Sequence, residues 1–194
     1  MPEALHGVLT ARKETISFLT SGTKRNKKEF PEETISRNNQ YICIIMGYTK
    51  LTYHIVFRTR SSIKAINREN EKELYSYIYG IAKSYGAFVY RIGGMADHIH
   101  ILLDFPPQVA LSDFMRELKK STSKWIKESH LFPLFSGWGE SYAAFSYSKN
   151  DVPKIINYIK NQKEHHRVVT FAEEYRNFLL ENGINPDEKY FLKD

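Results

Sequence analysis

Apolar residues at 99, 101, 103 and 105 alternate with His98, His100, Leu102 and Asp104, and this period of two predicts a β-strand over 97–105 with one buried face. The same period runs from Thr49 to Arg58, where Leu51, Tyr53, Ile55 and Phe57 alternate with Thr52, His54, Val56 and Arg58. Shorter stretches at 87–92 and 142–148 also read as strands. Between Asn67 and Tyr85 the spacing becomes helical, with Leu74, Tyr77, Ile78, Ile81 and Tyr85 on one face and Gly86 as the stop. A second helix is predicted from a Ser112 cap to about Ser129, with Met115, Leu118, Thr122, Trp125 and Ile126 as its apolar stripe.

Ser148 or Asn150 can cap a third helix that carries Pro153 in its first turn and buries Ile155, Ile156 and Ile159. Thr170-Phe171-Ala172-Glu173 is a capping box opening a last helix, which Asn182-Gly183 stops. Gly93-Gly94 reads as the turn of a hairpin into the 97–105 strand, and Pro106-Pro107 ends that strand. The order strand, helix, strand, strand, helix, strand, helix predicts an α+β fold. Its expected form is a ferredoxin-like split sheet, mainly antiparallel, of four to five strands with helices on one face. Such sheets host many activities, so function has to be argued from side chains.

His98 and His100 point the same way from their strand, about 6.6 Å apart along it. Two readings are open at this stage: half-buried sheet histidines, or a platform for a metal ion. Tyr158 and Gln162 lie four residues apart in the third helix, so a hydroxyl and an amide project together. With the imidazoles they supply a nucleophile, a neutral oxygen ligand and two nitrogen ligands, although a tyrosine on that stripe also suits the edge of a core. His54 reads as structural, and His165 and His166 as solvated.

Composition narrows the partners. The 194 residues suit one domain with an appendage, the formal charge is +6, and aromatics make up 14% of the chain, a balance compatible with nucleic acid. Arg116, Lys119, Lys120, Lys124 and Lys127 lie along the second helix and can hold phosphates or form a solvated face. The single Cys43 excludes an internal disulfide framework and a cysteine-based zinc site. No apolar run approaches the roughly 18 residues of a membrane span, and no signal-peptide core opens the chain; the expected location is cytoplasmic. Residues 1–45 are polar and expected to be a poorly ordered amino-terminal extension, in which Lys24, Arg25, Lys27 and Lys28 form either a nucleic-acid arm or a solvated tail. Tyr41 to Ile45 is a short apolar run, and the folded domain is expected over 46–194.

Three stretches carry a resemblance: Asp97-His98-Ile99-His100 after Gly93-Gly94, Tyr142 to Ser148, and Tyr158-Ile159-Lys160-Asn161-Gln162-Lys163-Glu164-His165-His166. Together with Tyr48 to Phe57 they resemble the single-tyrosine HUH transposases of small insertion sequences, in that family's motif order. The first 45 residues match nothing in the family core. The resemblance implies a DNA transposase that cuts and rejoins single strands without nucleotide hydrolysis. It implies that Tyr158 attacks the scissile phosphate, leaving a 5′-phosphotyrosine and a free 3′-hydroxyl, while His98, His100 and Gln162 hold a divalent ion. Two nitrogens and an amide oxygen with open positions suit Mg²⁺ or Mn²⁺ better than a closed Zn²⁺ site. It further implies recognition of single-stranded DNA hairpins at element ends by a homodimer, the tyrosine helix of one subunit meeting the histidine pair of the other.

Two other functions stand beside this one. The alternating His98-Ile99-His100-Ile101 is similar to nucleotide-hydrolysing histidine-triad proteins, which suggests a metal-dependent phosphohydrolase, but Leu102 occupies the place of the third histidine. A non-catalytic, domesticated binder of nucleic-acid hairpins is the second.

Overall fold

Four strands organise the computed structural model, which describes residues 48–194, all within the unit Cys43–Asp194. They are β1 (Thr52–Arg58), β2 (Phe88–Gly94), β3 (His98–Asp104) and β4 (Ala143–Tyr147), in the order β2-β3-β1-β4 with every neighbouring pair antiparallel. Five helices join or follow them: α1 (Glu71–Ser84), α2 (Leu111–Ser129), α3 (Val152–Lys160), α4 (Gln162–His165) and α5 (Phe171–Glu181). This is the expected α+β split sheet. The Lys24–Lys28 cluster, the run at 41–45 and the boundary at 46 lie outside the described residues.

Alternation decides which side chains go where. Ile55, Phe57, Ile99, Ile101 and Leu103 enter one core with Leu74, Ile78 and Ala82 of α1 and Phe114, Met115, Leu118 and Ile126 of α2. That pair of helices is the expected cover on one face. The opposite face carries a second cover: α3 packs Val152, Ile155 and Ile159 on Leu102, while α5 packs Phe171 and Tyr175 on Val56, Ala143 and Phe145. Leu102, in the place of a third histidine, is thus a packing residue.

Several local readings change. Gly93 and Gly94 belong to β2, and the turn falls at 95–97, closed by Met95 N–H donating to the His98 carbonyl at 3.0 Å. A Cβ at Gly93 would lie 2.7 Å from Ile159 Cγ2 and 3.1 Å from its carbonyl oxygen, so this glycine serves close approach of α3 to the sheet. Ser112 is not the cap of α2; the Ala110 carbonyl receives the first bonds from Asp113 and Phe114, both at 3.1 Å. The start of α1 moves to Glu71 because Asn67 holds the preceding turn, donating to the Leu131 carbonyl at 2.6 Å and accepting from Asn70 N–H at 2.9 Å. Neither Ser148 nor Asn150 caps α3, whose N-cap is Asp151; the Ser148 hydroxyl instead donates to the Asp151 carboxylate at 2.6 Å. The predicted capping box of α5 forms in full. Among the described residues no helix is long and apolar enough to cross a membrane.

Candidate active site

The face of β3 opposite the α1–α2 core presents His98 and His100, both fully buried. Each ring is held from behind. His98 Nδ1 donates to Asp97 Oδ1 at 2.7 Å, which leaves its Nε2 as a bare lone pair. His100 Nδ1 meets His54 Nε2 at 3.0 Å across the β1–β3 pair, and His100 Nε2 has no hydrogen-bond partner. His54, read from the sequence as structural, is thus in direct contact with His100. Burial pushes its imidazole down to about 4, and burial followed by the neighbouring His98 pushes His100 well below the usual range.

The link Ser148–Asp151 from β4 into α3 is short, so α3 folds back over its own sheet and brings Tyr158 and Gln162 to the histidines of the same chain. Gln162 is buried, with Oε1 at 3.4 Å from His98 Nε2. It does not share an unbroken helix with Tyr158, because α3 ends at Lys160 and α4 begins at Gln162. The expected convergence survives this break because both side chains reach one group, the carboxylate of Glu174 on α5. The Tyr158 hydroxyl donates to Glu174 Oε1, and Gln162 Nε2 donates to the same oxygen at 2.7 Å. Within this chain, tyrosine, amide and imidazoles thus lie together.

Glu174 was not among the expected residues. Its Oε2 lies 3.5 Å from His98 Nε2, 3.7 Å from His100 Nε2 and 3.0 Å from His166 Nε2. Burial, with the charge of Asp97, pushes Glu174 up to about 8. His166, expected to be solvated, has a side chain only 6% exposed and donates from Nδ1 to the Val169 carbonyl at 2.8 Å. The aromatic walls also come from α5. Phe171 stacks on His98 with centroids 4.4 Å apart, and Phe178 stands edge-on to Tyr158 at 5.4 Å. His98, His100 and Glu174 each offer a ligand atom, all within 4.8 Å of one another.

The unpartnered Nε2 of His100, with His98 and the Glu174 carboxylate, forms a group that could hold a metal ion. The family model for IS200-like transposases matches residues 47–162. The chain belongs to the IS200-like transposase family. The transposase is similar to the ISDra2 transposase TnpA of Deinococcus radiodurans, with 29% identity over 128 residues covering 61% of this chain and 89% of that relative. It is 31% identical over 117 residues to the IS200 transposase of Salmonella typhimurium, covering 58% and 76%. A crystal structure of a candidate transposase from Deinococcus radiodurans aligns at 29% identity and TM-score 0.49, covering 60% of this chain and 95% of the other. Membership makes the chain a DNA-processing enzyme.

The basic residues of α2 divide. Arg116, Lys120 and Lys124 are 72%, 77% and 76% exposed and pair with Asp113, Glu117 and Glu128 on their own helix, and Lys127 is also exposed. Lys119 is not a free cation, for its ammonium donates to the carbonyls of Gly139, Glu140 and Ser141 at 2.8, 2.9 and 2.8 Å and holds the loop before β4. All five lie on the helix layer across the sheet from the histidines.

Proposed function

We propose that this transposase cleaves and rejoins single-stranded DNA at insertion-sequence ends through a tyrosine–DNA intermediate formed by Tyr158. What carries the reading is the meeting, in a chain of this family, of the Tyr158 hydroxyl with two buried imidazoles and a buried amide. The phenol oxygen attacks the scissile phosphorus, a phosphotyrosine bond forms to the 5′ side, and the bond to the 3′ oxygen breaks to release a 3′-hydroxyl. A phenol is a poor nucleophile at neutral pH because its pKa is about 10. The carboxylate that accepts its hydrogen bond offers a place for its proton.

His98, His100 and Gln162 would hold a divalent ion, Mg²⁺ or Mn²⁺, and the unpartnered Nε2 of His100 fits that role. When bound, such an ion supplies charge stabilisation to the phosphoryl oxygens. Energy stored in the covalent link accounts for strand rejoining without nucleotide hydrolysis. Strand exchange needs two tyrosines, so the reading includes a homodimer with two sites shared between its subunits, the tyrosine helix of one set against the histidine pair of the other. Hairpin DNA is its expected substrate, met by exposed cations such as Arg116, Lys120, Lys124 and Lys127 and by aromatic rings on which unpaired bases stack.

The test is a covalent adduct between the protein and single-stranded DNA carrying the element's ends, formed with Mg²⁺ and resistant to denaturation. Tyr158→Phe removes one oxygen and is expected to abolish the adduct while DNA binding persists. An undiminished adduct in that variant would remove Tyr158 from its role. Cleavage with no adduct in the native protein would favour a phosphohydrolase, and tight binding with no cleavage a non-catalytic hairpin binder.

A further inference from the structure

Glu174 lies on α5, beyond residues 47–162 that the family model matches, so nothing in that match assigns it. We propose that Glu174 is a protein ligand to the divalent ion, so that the centre of this chain is built from His98, His100, Gln162 and the Glu174 carboxylate, with α5 as an integral wall. The inference rests on the metal-dependent reading above and adds a ligand to it.

The argument is one of lone pairs. Asp97 accepts the Nδ1 proton of His98 and the Val169 carbonyl that of His166; His98 Nε2 lies 3.5 Å from Glu174 Oε2 and 3.4 Å from Gln162 Oε1, and His166 Nε2 is hydrogen-bonded to Glu174 Oε2 at 3.0 Å. His100 Nε2 faces the same oxygen at 3.7 Å with no partner of its own. Of these nitrogens only His100 Nε2 lacks a hydrogen-bond partner, and a buried lone pair facing a carboxylate oxygen is costly unless a positive centre lies between them. A divalent ion among His98, His100 and Glu174, whose ligand atoms all lie within 4.8 Å of one another, satisfies it.

The two oxygens of the carboxylate have different neighbours. Oε2 faces the imidazoles, whereas Oε1 accepts from the Tyr158 hydroxyl and the Gln162 amide. A single carboxylate thus ties the nucleophile to the ligand set, and a hard anionic oxygen beside two imidazoles suits Mn²⁺ or Mg²⁺. An aromatic ring of α5 borders the set, Phe171 stacking on His98 with centroids 4.4 Å apart.

The experiment is Mn²⁺ binding to the full chain, followed by electron paramagnetic resonance of the free ion and by calorimetry, without DNA. Glu174→Gln keeps size and hydrogen bonding but removes the anionic ligand, and is expected to weaken Mn²⁺ at least tenfold, the range of about 10–100-fold seen even for outer-shell changes. Glu174→Asp keeps the charge and is expected to fall between the two. Melting in EDTA verifies that each variant is folded, and should Glu174→Gln fail to fold, a loss of affinity in Glu174→Asp decides. Unchanged affinity in Glu174→Gln overturns the assignment, as does tighter binding, which a carboxylate acting as a plug against the ion would give. If affinity depends on both histidines and not on Glu174, this inference fails while the two-histidine reading stands. If the native chain binds no Mn²⁺, both fail, and the adduct assay still judges Tyr158 separately.

Discussion

The two faces of β3 differ in chemistry although they share one backbone. Ile99, Ile101 and Leu103 are fully buried in hydrocarbon from α1 and α2, while His98 and His100, just as buried, face Glu174, Gln162 and Tyr158. Burial therefore does not distinguish the two faces; hydrogen bonding does. The apolar side needs no partners, whereas each ring on the polar side is held at one nitrogen and leaves the other pointing inward. A period of two lets a well-packed core fix the strand that presents the imidazoles, so their positions are set by packing on the far side of the sheet.

That division is most sharply tested at adjacent residues. Ile101→Ala removes apolar volume from the core and is expected to cost about 2–5 kcal/mol of stability while leaving Mn²⁺ affinity of the folded protein nearly unchanged. His100→Ala is expected to do the converse, losing metal affinity and cleavage because an ion left with fewer protein ligands is loosely held. Urea unfolding and Mn²⁺ titration on both variants read the two effects separately. If Ile101→Ala weakened the metal as much as His100→Ala, the faces would not be independent.

How much of this was legible follows from what each residue reveals locally. The histidine pair could be read because alternation over 97–105 is strict, and Tyr158 and Gln162 because helical spacing of four survives approximately across the break at Asn161. Glu174 has no neighbour in sequence that marks it, and glutamate on a helix is ordinarily exposed. Its signal was its phase, since the capping box at Thr170 and Glu173 fixes where α5 begins, and Glu174 then falls inside the stripe of Phe171, Tyr175 and Phe178. An acid inside an apolar stripe needs a partner, and that rule would have found it. Gly93-Gly94 misled because glycine marks both turns and close approaches, and only the position of Ile159 separates them. Lys119 misled because its three acceptors lie in a loop some 20 residues downstream, out of reach of any local pattern.

Acid should divide the faces next, with a smaller effect. Burial holds His54 down to about 4, below its ordinary 6.5, among His100, Tyr147, Tyr158 and Phe178. The unfolded chain then takes up a proton that the folded one refuses, so the stability is complete above about 6.5 and is lost as pH falls towards 4. For this one group the loss amounts to about 3 kcal/mol. Denaturation of the metal-free protein at pH 7 and pH 4.5 should show it, and His54→Phe should reduce the slope whereas Ile101→Val should not. An equal slope in His54→Phe would mean that other groups carry the acid sensitivity.

The smallest effect on stability is expected at α2, where the comparison becomes a question of where DNA lies. Arg116, Lys120 and Lys124 stand on the outer side of the apolar layer, each beside a carboxylate on its own helix. Exposed pairs of this kind contribute about 0–1 kcal/mol each, so replacing all three cations by Gln should hardly move the melting temperature. The same change should weaken binding of hairpin DNA and flatten its salt dependence, by about 0.7 in slope for each single-strand phosphate that the protein no longer neutralises. Because the helix lies across the sheet from Tyr158, cleavage at saturating DNA should keep its rate. A lower rate with unchanged binding would mean that α2 acts on the chemistry, and an unchanged salt slope would confine DNA to the polar face of the sheet, leaving the apolar side purely structural.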